Sequence, residues 1–391
     1  MTAVNPDILI WARETAGLSL EEAAGLIHLN AAHGQSGAAR LKAIEAGDGE
    51  PSRSLLKRMA ERYHRPLITF FLPARPAPGD RGEDFRRAPD APPVDYDPRL
   101  DALLRDVRAR HDIVRTLLLE EENPSLAFVG SLKPSRAPAD IARAIADTIK
   151  FDLKAFRRAR GARQAFAYLR ERLESVGIFV LLLGNLGSYH TNISSTMFRG
   201  YAIADAIAPF IVINENDNDT SWAFTALHEA AHLWLGQTGI SGAAHTNRIE
   251  QLCNDVAGRL LLPVEDLAPL RTLAGRPFDV VLGEVSRTAR NCNVSRRMVG
   301  YQLLRHDIID GGMYQRLTER FRADWEKSRI RDPDAARDDG GVSFYVVRRH
   351  RLGPALMSLA QRAVAGGELA PMRAARLLGV KATSVHPLLT A

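Results

Sequence analysis

One short run holds three side chains that could do chemistry together. In TALHEAAHLWL, Thr225 to Leu235, His228 and His232 stand four apart and Glu229 follows the first. Residues four apart lie one turn apart on the same helix face. Both imidazoles can then reach a single ion at about 2.0–2.1 Å. Glu229 sits about 100° further round the helix. That offset keeps it out of the ligand set but near a water on the ion. The spacing therefore predicts His228 and His232 as metal ligands and Glu229 as a general base. Between Trp222 and Gly236 these three are the only ionisable residues. Burying polar groups among apolar ones costs on the order of 2–7 kcal/mol each unless something compensates them, and a metal with its water would do so. The competing reading is two surface histidines flanking an ordinary glutamate; the apolar surroundings argue against it.

A catalytic zinc site needs a third protein ligand and an open position for water. His245 and Glu250 are the downstream candidates. Glu250 opens IEQLCNDVAGRLLLP, which reads as a helix ended at Pro263, whereas His245 lies in the loop-like SGAAHTN. A ligand on a second packed helix is held rigidly, so Glu250 is preferred. Two histidines, a carboxylate and water predict metal-activated hydrolysis, with the water's pKa lowered to about 7 and the scissile carbonyl polarised. Glu229 would take the water's proton and pass it to a leaving amine, which is amide cleavage. Zinc suits the nitrogen and oxygen donors, with Mn2+ as the alternative. Tyr201, His190 and His245 are candidates for stabilising the oxyanion.

These residues need elements to position them. The runs GIFVLLL (177–183), FRGYAIAD (198–205) and APFIVINEN (208–216) are short and apolar, and read as strands. NDNDTS (216–221) supplies turn and cap residues ahead of the HExxH helix, which Gly236 can stop. Helical patterns cover 99–122, 138–149, 161–175 and most of 250–325. Upstream, 7–72 reads as short helices. Among them LSLEEAAGLI has Ser19 and Glu22 at capping-box spacing, and GAARLKAIEAG ends on a glycine stop. Residues 76–98 are rich in proline, glycine and charge and read as a linker. Residues 331–342 read as a polar loop, and 343–391 as a small helical region with another short helical pair.

The bulk properties narrow the class. A chain of 391 residues with 46% apolar and 25% charged residues is an ordinary globular composition with room for two or three domains. No run approaches the ~20 apolar residues a membrane span needs, so no membrane role is expected. The start carries no signal-peptide pattern, and only Cys253 and Cys292 are present, so a cytoplasmic protein without disulfides is expected. The net charge of +6 permits acidic or nucleic-acid partners without demanding them. Arg157, Arg158, Arg160 and Arg163 form a basic patch that reads as a solvated helix face.

With these motifs in place, the chain resembles the ImmA/IrrE metallopeptidases fused behind an XRE-type helix-turn-helix. The resemblance rests on GLSLEEAAGLI, AIEAGDGEPSRSLLKRMAERYHRPLITFFLP and DFR in the front part. In the middle it rests on MFRGYAIAD, APFIVINEND, AFTALHEAAHLWLG and EQLCNDVAGRLLLP, and at the end on GGELAPMRAARLLGVK. It implies a cytoplasmic zinc-dependent regulatory protease that cleaves a DNA-bound repressor and so controls stress genes. Carried over residue by residue, His228, His232 and Glu250 would be ligands and Glu229 the base. Cys253 stands where alanine is more usual, and reads as a packing residue.

The fold class expected is α+β and predominantly helical. An all-α XRE-like helix-turn-helix domain (1–75) and the linker would precede a zincin-like metallopeptidase domain (99–330) with a helical lead-in and a small β-sheet, then the helical C-terminal region (343–391). The recognition helix would be Ser36–Ala46, offering Gln35, Ser36, Arg40 and Lys42 to DNA. Residues 1–75 carry nine basic and eight acidic side chains, a weak positive footprint for a DNA reader. A protein-docking role for this domain therefore competes with operator binding, and oligomerisation is open. NVSRRMVGYQLLRH (293–306) also has a turn-then-helix pattern but reads as core packing. The alternative to the protease is a non-proteolytic XRE-type regulator or antitoxin-like repressor whose metal is structural or sensing.

Overall fold

A computed structural model of the chain describes residues 4–32, 34–75, 98–187, 191–241, 248–331 and 343–390. They fall into two compact units. The described residues of Met1–Asp80 and Pro89–Asp106 form the first, and those of Val107–Ala391 the second. The predicted linker, apart from Pro98, and the predicted loop beyond Arg331 lie outside the described residues, as do His190 and His245.

The first unit is all-helical: α1 (Pro6–Glu14), α2 (Leu20–Leu26), α3 (Gly37–Ala46), α4 (Arg53–Arg62) and a 3-10 turn (Leu67–Phe71), with the start of α5 (Pro98–Glu120). Its boundaries follow local chemistry. Ser19 caps α2 and Glu22 reaches back to the Ser19 N–H, the reciprocal pair expected from the spacing. Ser36 caps α3, and Gly47 ends it at φ 86°, which a side chain would resist. Ile8, Leu9, Ile27, Leu41, Met59, Tyr63 and Phe70 form the core. Glu45 is buried beside them and is held by Arg13, Nε to Oε1 at 2.8 Å and Nη2 to Oε2 at 3.0 Å. The same guanidinium donates to the Leu18 carbonyl, tying α1, α3 and the turn before α2 together.

The second unit is α+β. From α5 the chain runs through α6 (Pro138–Ile149), α7 (Leu153–Arg158) and α8 (Ala162–Glu174), then β1 (Phe179–Leu182), β2 (Gly200–Ile203) and β3 (Phe210–Ile213). Next come α9 (Asp219–Trp234), β4 (Gly239–Ser241), α10 (Arg248–Leu261), α11 (Val264–Leu267), α12 (Phe278–Cys292), α13 (Arg296–Arg305) and α14 (Gly311–Arg331). The chain finishes with α15 (Phe344–Leu352), α16 (Pro354–Ala365), α17 (Pro371–Leu378) and α18 (Val385–Thr390). The predominantly helical α+β class is as expected. The short α7 and β4 carry too few residues to show a period, and were not anticipated.

The sheet order is β1-β3-β2-β4. β1 is parallel to β3, while β2 runs antiparallel to both β3 and β4. β1, β2 and β3 are buried throughout, which explains their unbroken apolar sequences. α9 packs on β2 and β3 and against α6, α8 and α10. The C-terminal region holds four helices, more than the pair read from sequence, and α15 packs on β1. Arg170 of α8 pins it there. Its guanidinium donates to the His350 carbonyl at 2.6 Å and pairs with Glu174, whose Oε2 accepts the Ala355 N–H at 3.0 Å.

Candidate metal centre

α9 starts where Asn218 accepts the Thr220 N–H, and Trp222 to Trp234 are buried on every face except at Phe224. Trp234 stacks on Phe128 with ring centroids 4.3 Å apart. Gly236 closes the helix at φ 69°, so close to Gly130 that an added Cβ would lie 2.9 Å from its Cα. Apolar packing thus fixes the axis and rotation of α9 before its polar residues are considered. The same helix presents His228 and His232 to one side, where α10 crosses.

α10 brings Glu250 to them. His228 Nε2 lies 3.1 Å from Glu250 Oε2, and His232 Nε2 lies 3.1 Å from Oε1. The two Nε2 atoms are 3.2 Å apart. All three residues are buried. Four ligands around an ion at about 2.05 Å would be separated by roughly 3.3 Å, so this triangle is the right size for one face of a tetrahedral site. The donor chemistry fits as well. His228 Nδ1 faces Asn254 Oδ1 at 3.0 Å; an amide oxygen only accepts, so Nδ1 carries the proton. The Nε2 lone pair then points at a second imidazole nitrogen and a carboxylate, and a cation is what such a gathering of acceptors lacks.

Electrostatics without an ion tell the same story. Burial raises the Glu250 pKa, but hydrogen bonds and charge from His228 and His232 outweigh it and hold the carboxyl well below the usual range. Burial also opposes a charge on His232. The Cys253 thiol, Glu250 and Glu229 outweigh it and push that imidazole well above its ordinary value. Cys253 therefore packs as expected but also touches a ligand residue, through its hydrogen bond with His232. A metal entering the triangle must displace whatever proton is there, so its uptake releases protons.

Glu229 is fully buried and faces β2. An added Cβ on Gly200 would collide with its Oε1, which gives the glycine of FRG a physical reason. Asn214 and Asn216, read from sequence as turn material, hold the approach to β2. The buried Asn214 Nδ2 donates to the carbonyls of Ile193 (3.1 Å) and Phe198 (2.8 Å), and Asn216 Nδ2 donates to Gly184 (2.6 Å). Asn254 was the other omission. Its signal was available, since Asn254 follows Glu250 at the same i,i+4 spacing that joins the two histidines.

Other predicted residues lie elsewhere. Tyr201 is not at the metal centre. Neighbouring strand residues point to opposite faces, so with Gly200 toward α9 the ring points away, and its hydroxyl accepts from Arg108 Nε at 3.2 Å. Gln35, Ser36 and Lys42 are exposed in the first unit. Ser36 is engaged as the α3 cap, and Arg40 donates to the Asn30 carbonyl at 2.7 Å. The arginine patch is largely ion-paired, Arg157 with Asp266 and Arg163 with Asp219. In α13, Met298, Val299, Gln302 and Leu303 are buried, in keeping with core packing.

No helix among the described residues is long and apolar enough to cross a membrane. No curated protein and no solved structure matches the chain. Residues 176–304, which run from β1 into α13 and contain His228, Glu229, His232 and Glu250, match the IrrE N-terminal-like domain of the M78 peptidase family.

Proposed function

We propose that the protein is a zinc-dependent endopeptidase that cleaves a regulatory protein, with the first unit selecting where or on what it acts. The observation that carries this reading is the buried triangle of His228, His232 and Glu250 with Glu229 immediately beside it. A site that only stabilised the fold would use a closed ligand set and would have no need of a buried carboxylate next to it.

His228, His232 and Glu250 would hold the ion, and Asn254 would keep His228 in the tautomer that offers Nε2. Bound there, zinc supplies Lewis acidity that makes water nucleophilic near neutral pH and polarises a scissile carbonyl. Glu229 accepts the water's proton and returns it to the departing amine. Gly200 leaves the space its carboxylate needs. Phe224, with its ring 6.4 Å from that of His228, adds an apolar wall beside the ligands.

The expected partners are a protein substrate, of which a DNA-binding repressor is the favoured class, and DNA or the substrate itself at the first unit. Gln35 and Lys42 are the exposed polar residues there that remain available for contact. Glu229→Gln provides the test. It should keep zinc and abolish the disappearance of one cellular protein that the parent chain causes. If the variant holds zinc and gives the parent's biological output, the non-proteolytic regulator is the correct reading.

A further inference from the structure

Beside the metal centre is an arginine whose charge is not matched. Arg199 directly precedes Gly200, so its Cα lies about 3.8 Å from that of the residue packed on Glu229. Its backbone is fixed, since its carbonyl accepts the Asn214 N–H at 2.8 Å. Its Nε is buried without a hydrogen bond, and its guanidinium has no ion pair among the described residues. Arg13, Arg157, Arg170, Arg296 and Arg351 are also partly or fully buried, and each pairs with a carboxylate.

The surroundings of Arg199 add to the imbalance. Arg297, on the exposed side of α13, contributes a second positive charge that opposes it. Arg297 also has no ion pair among the described residues. Asp217 and the Tyr314 phenol are the groups that favour the Arg199 charge. Asp217 is already engaged, with Oδ1 accepting the Asn218 N–H at 2.9 Å, and burial raises its pKa. Two guanidiniums face one partly committed carboxylate. A shielded guanidinium in this state has its planar donor fork available for an incoming carboxylate, and little water competes for it.

We infer that Arg199, assisted by Arg297, forms a subsite beside the metal centre that receives a carboxylate of the peptide substrate. This rests on the peptidase reading and extends it to substrate class. The carboxylate has two sources, an aspartate or glutamate side chain near the scissile bond or the C-terminus of the peptide.

The test uses the zinc-loaded full chain carrying Glu229→Gln, so that bound peptides stay intact. Three pools of N-acetylated nonapeptides are offered, randomised except at the centre and the end. One has a central Asp and an amidated end, one a central Asn and an amidated end, and one a central Asn and a free carboxylate. Retained peptide is measured by mass spectrometry. We expect one carboxylate pool to be retained about tenfold over the neutral pool, and the pool that wins identifies the source. Adding Arg199→Gln should remove the preference, Arg199→Lys should restore part of it, and Arg297→Gln should reduce it severalfold. Equal retention of all pools, retention of none, or a preference that survives Arg199→Gln overturns the inference. Circular dichroism and zinc content check that Arg199→Gln is folded; if it is not, a preference unmoved by both Arg199→Lys and Arg297→Gln overturns it equally. Cleavage of a cellular protein by the parent chain is measured separately, so the subsite can fail while the peptidase reading stands, and the reverse.

Discussion

Two helix pairs in this chain use polar residues in opposite ways. In α9 and α10 the polar residues are buried and converge: His228, His232, Glu250 and Asn254 meet within hydrogen-bonding distances of one another. In α2 and α3 most are at the surface or engaged by the backbone: Ser19 and Ser36 cap their helices, Arg40 holds the Asn30 carbonyl, and Lys42 faces solvent. The exception in the second pair is Glu45, buried but neutralised in place by Arg13. In the first unit, then, buried charge is matched by the protein itself. At the metal centre several acceptors are gathered with no protein cation among them. This difference separates a group buried for structure from groups buried for a ligand.

The largest effect should come from removing charge at the convergent pair. Glu250→Gln should lower zinc affinity by two orders of magnitude or more, read as metal content after dialysis, and leave α1–α4 folded. Metal retention at the parent level would mean Glu250 is not a ligand. The matched pair offers the mirror experiment. Glu45→Ala strands the Arg13 guanidinium and should cost about 3 kcal/mol in the first unit's unfolding, as for breaking a buried pair. Zinc content should not change; if it falls, the two regions are not energetically separate.

A smaller effect sharpens the role of the second helix. Asn254→Ala frees the His228 tautomer and should weaken zinc binding by about 10–100-fold, as is usual for losing the group that orients a ligand. Titration against a competing chelator measures this. The smallest effect expected is one of pH in the first unit. Burial, with the nearby Arg105 and Arg62, lowers the His64 pKa from 6.5. The unfolded chain then binds more protons than the folded unit once pH drops through about 6.5, so stability is lost on acidification and regained above it. His64→Gln should flatten that part of the unfolding profile. An unchanged profile would show that His64 is not the group responsible.

Much of the site was legible because its information is local. HExxH encodes its geometry in one helical turn, and Glu250 was accessible because it opens an amphipathic helix. The capping box at Ser19 and the strands of β1 to β3 could be read for the same reason. What escaped depends on groups far apart in sequence. Nothing local to Gly200 indicates that Glu229 will fill the space above it, and nothing local to Asn214 indicates that it will hold the carbonyls of Ile193 and Phe198. Tyr201 was misplaced because its composition suggested a donor, while the alternation of the strand decides which face it takes. The C-terminal region looked like an appendage, and only Arg170 reaching His350 and Arg351 reaching Glu215 bind it to the sheet.

The sequence by itself determined the ligand types, their spacing along α9 and α10, and the segments able to form helix or strand. These follow from periodicity and residue chemistry within a few turns of chain. Tertiary structure decided which lone pairs meet, which carboxylate is neutralised and which is left for a metal, and which arginine lacks a counter-charge. The reason is physical: charge compensation and close packing are set by distances through space, and those exist only once the chain has folded.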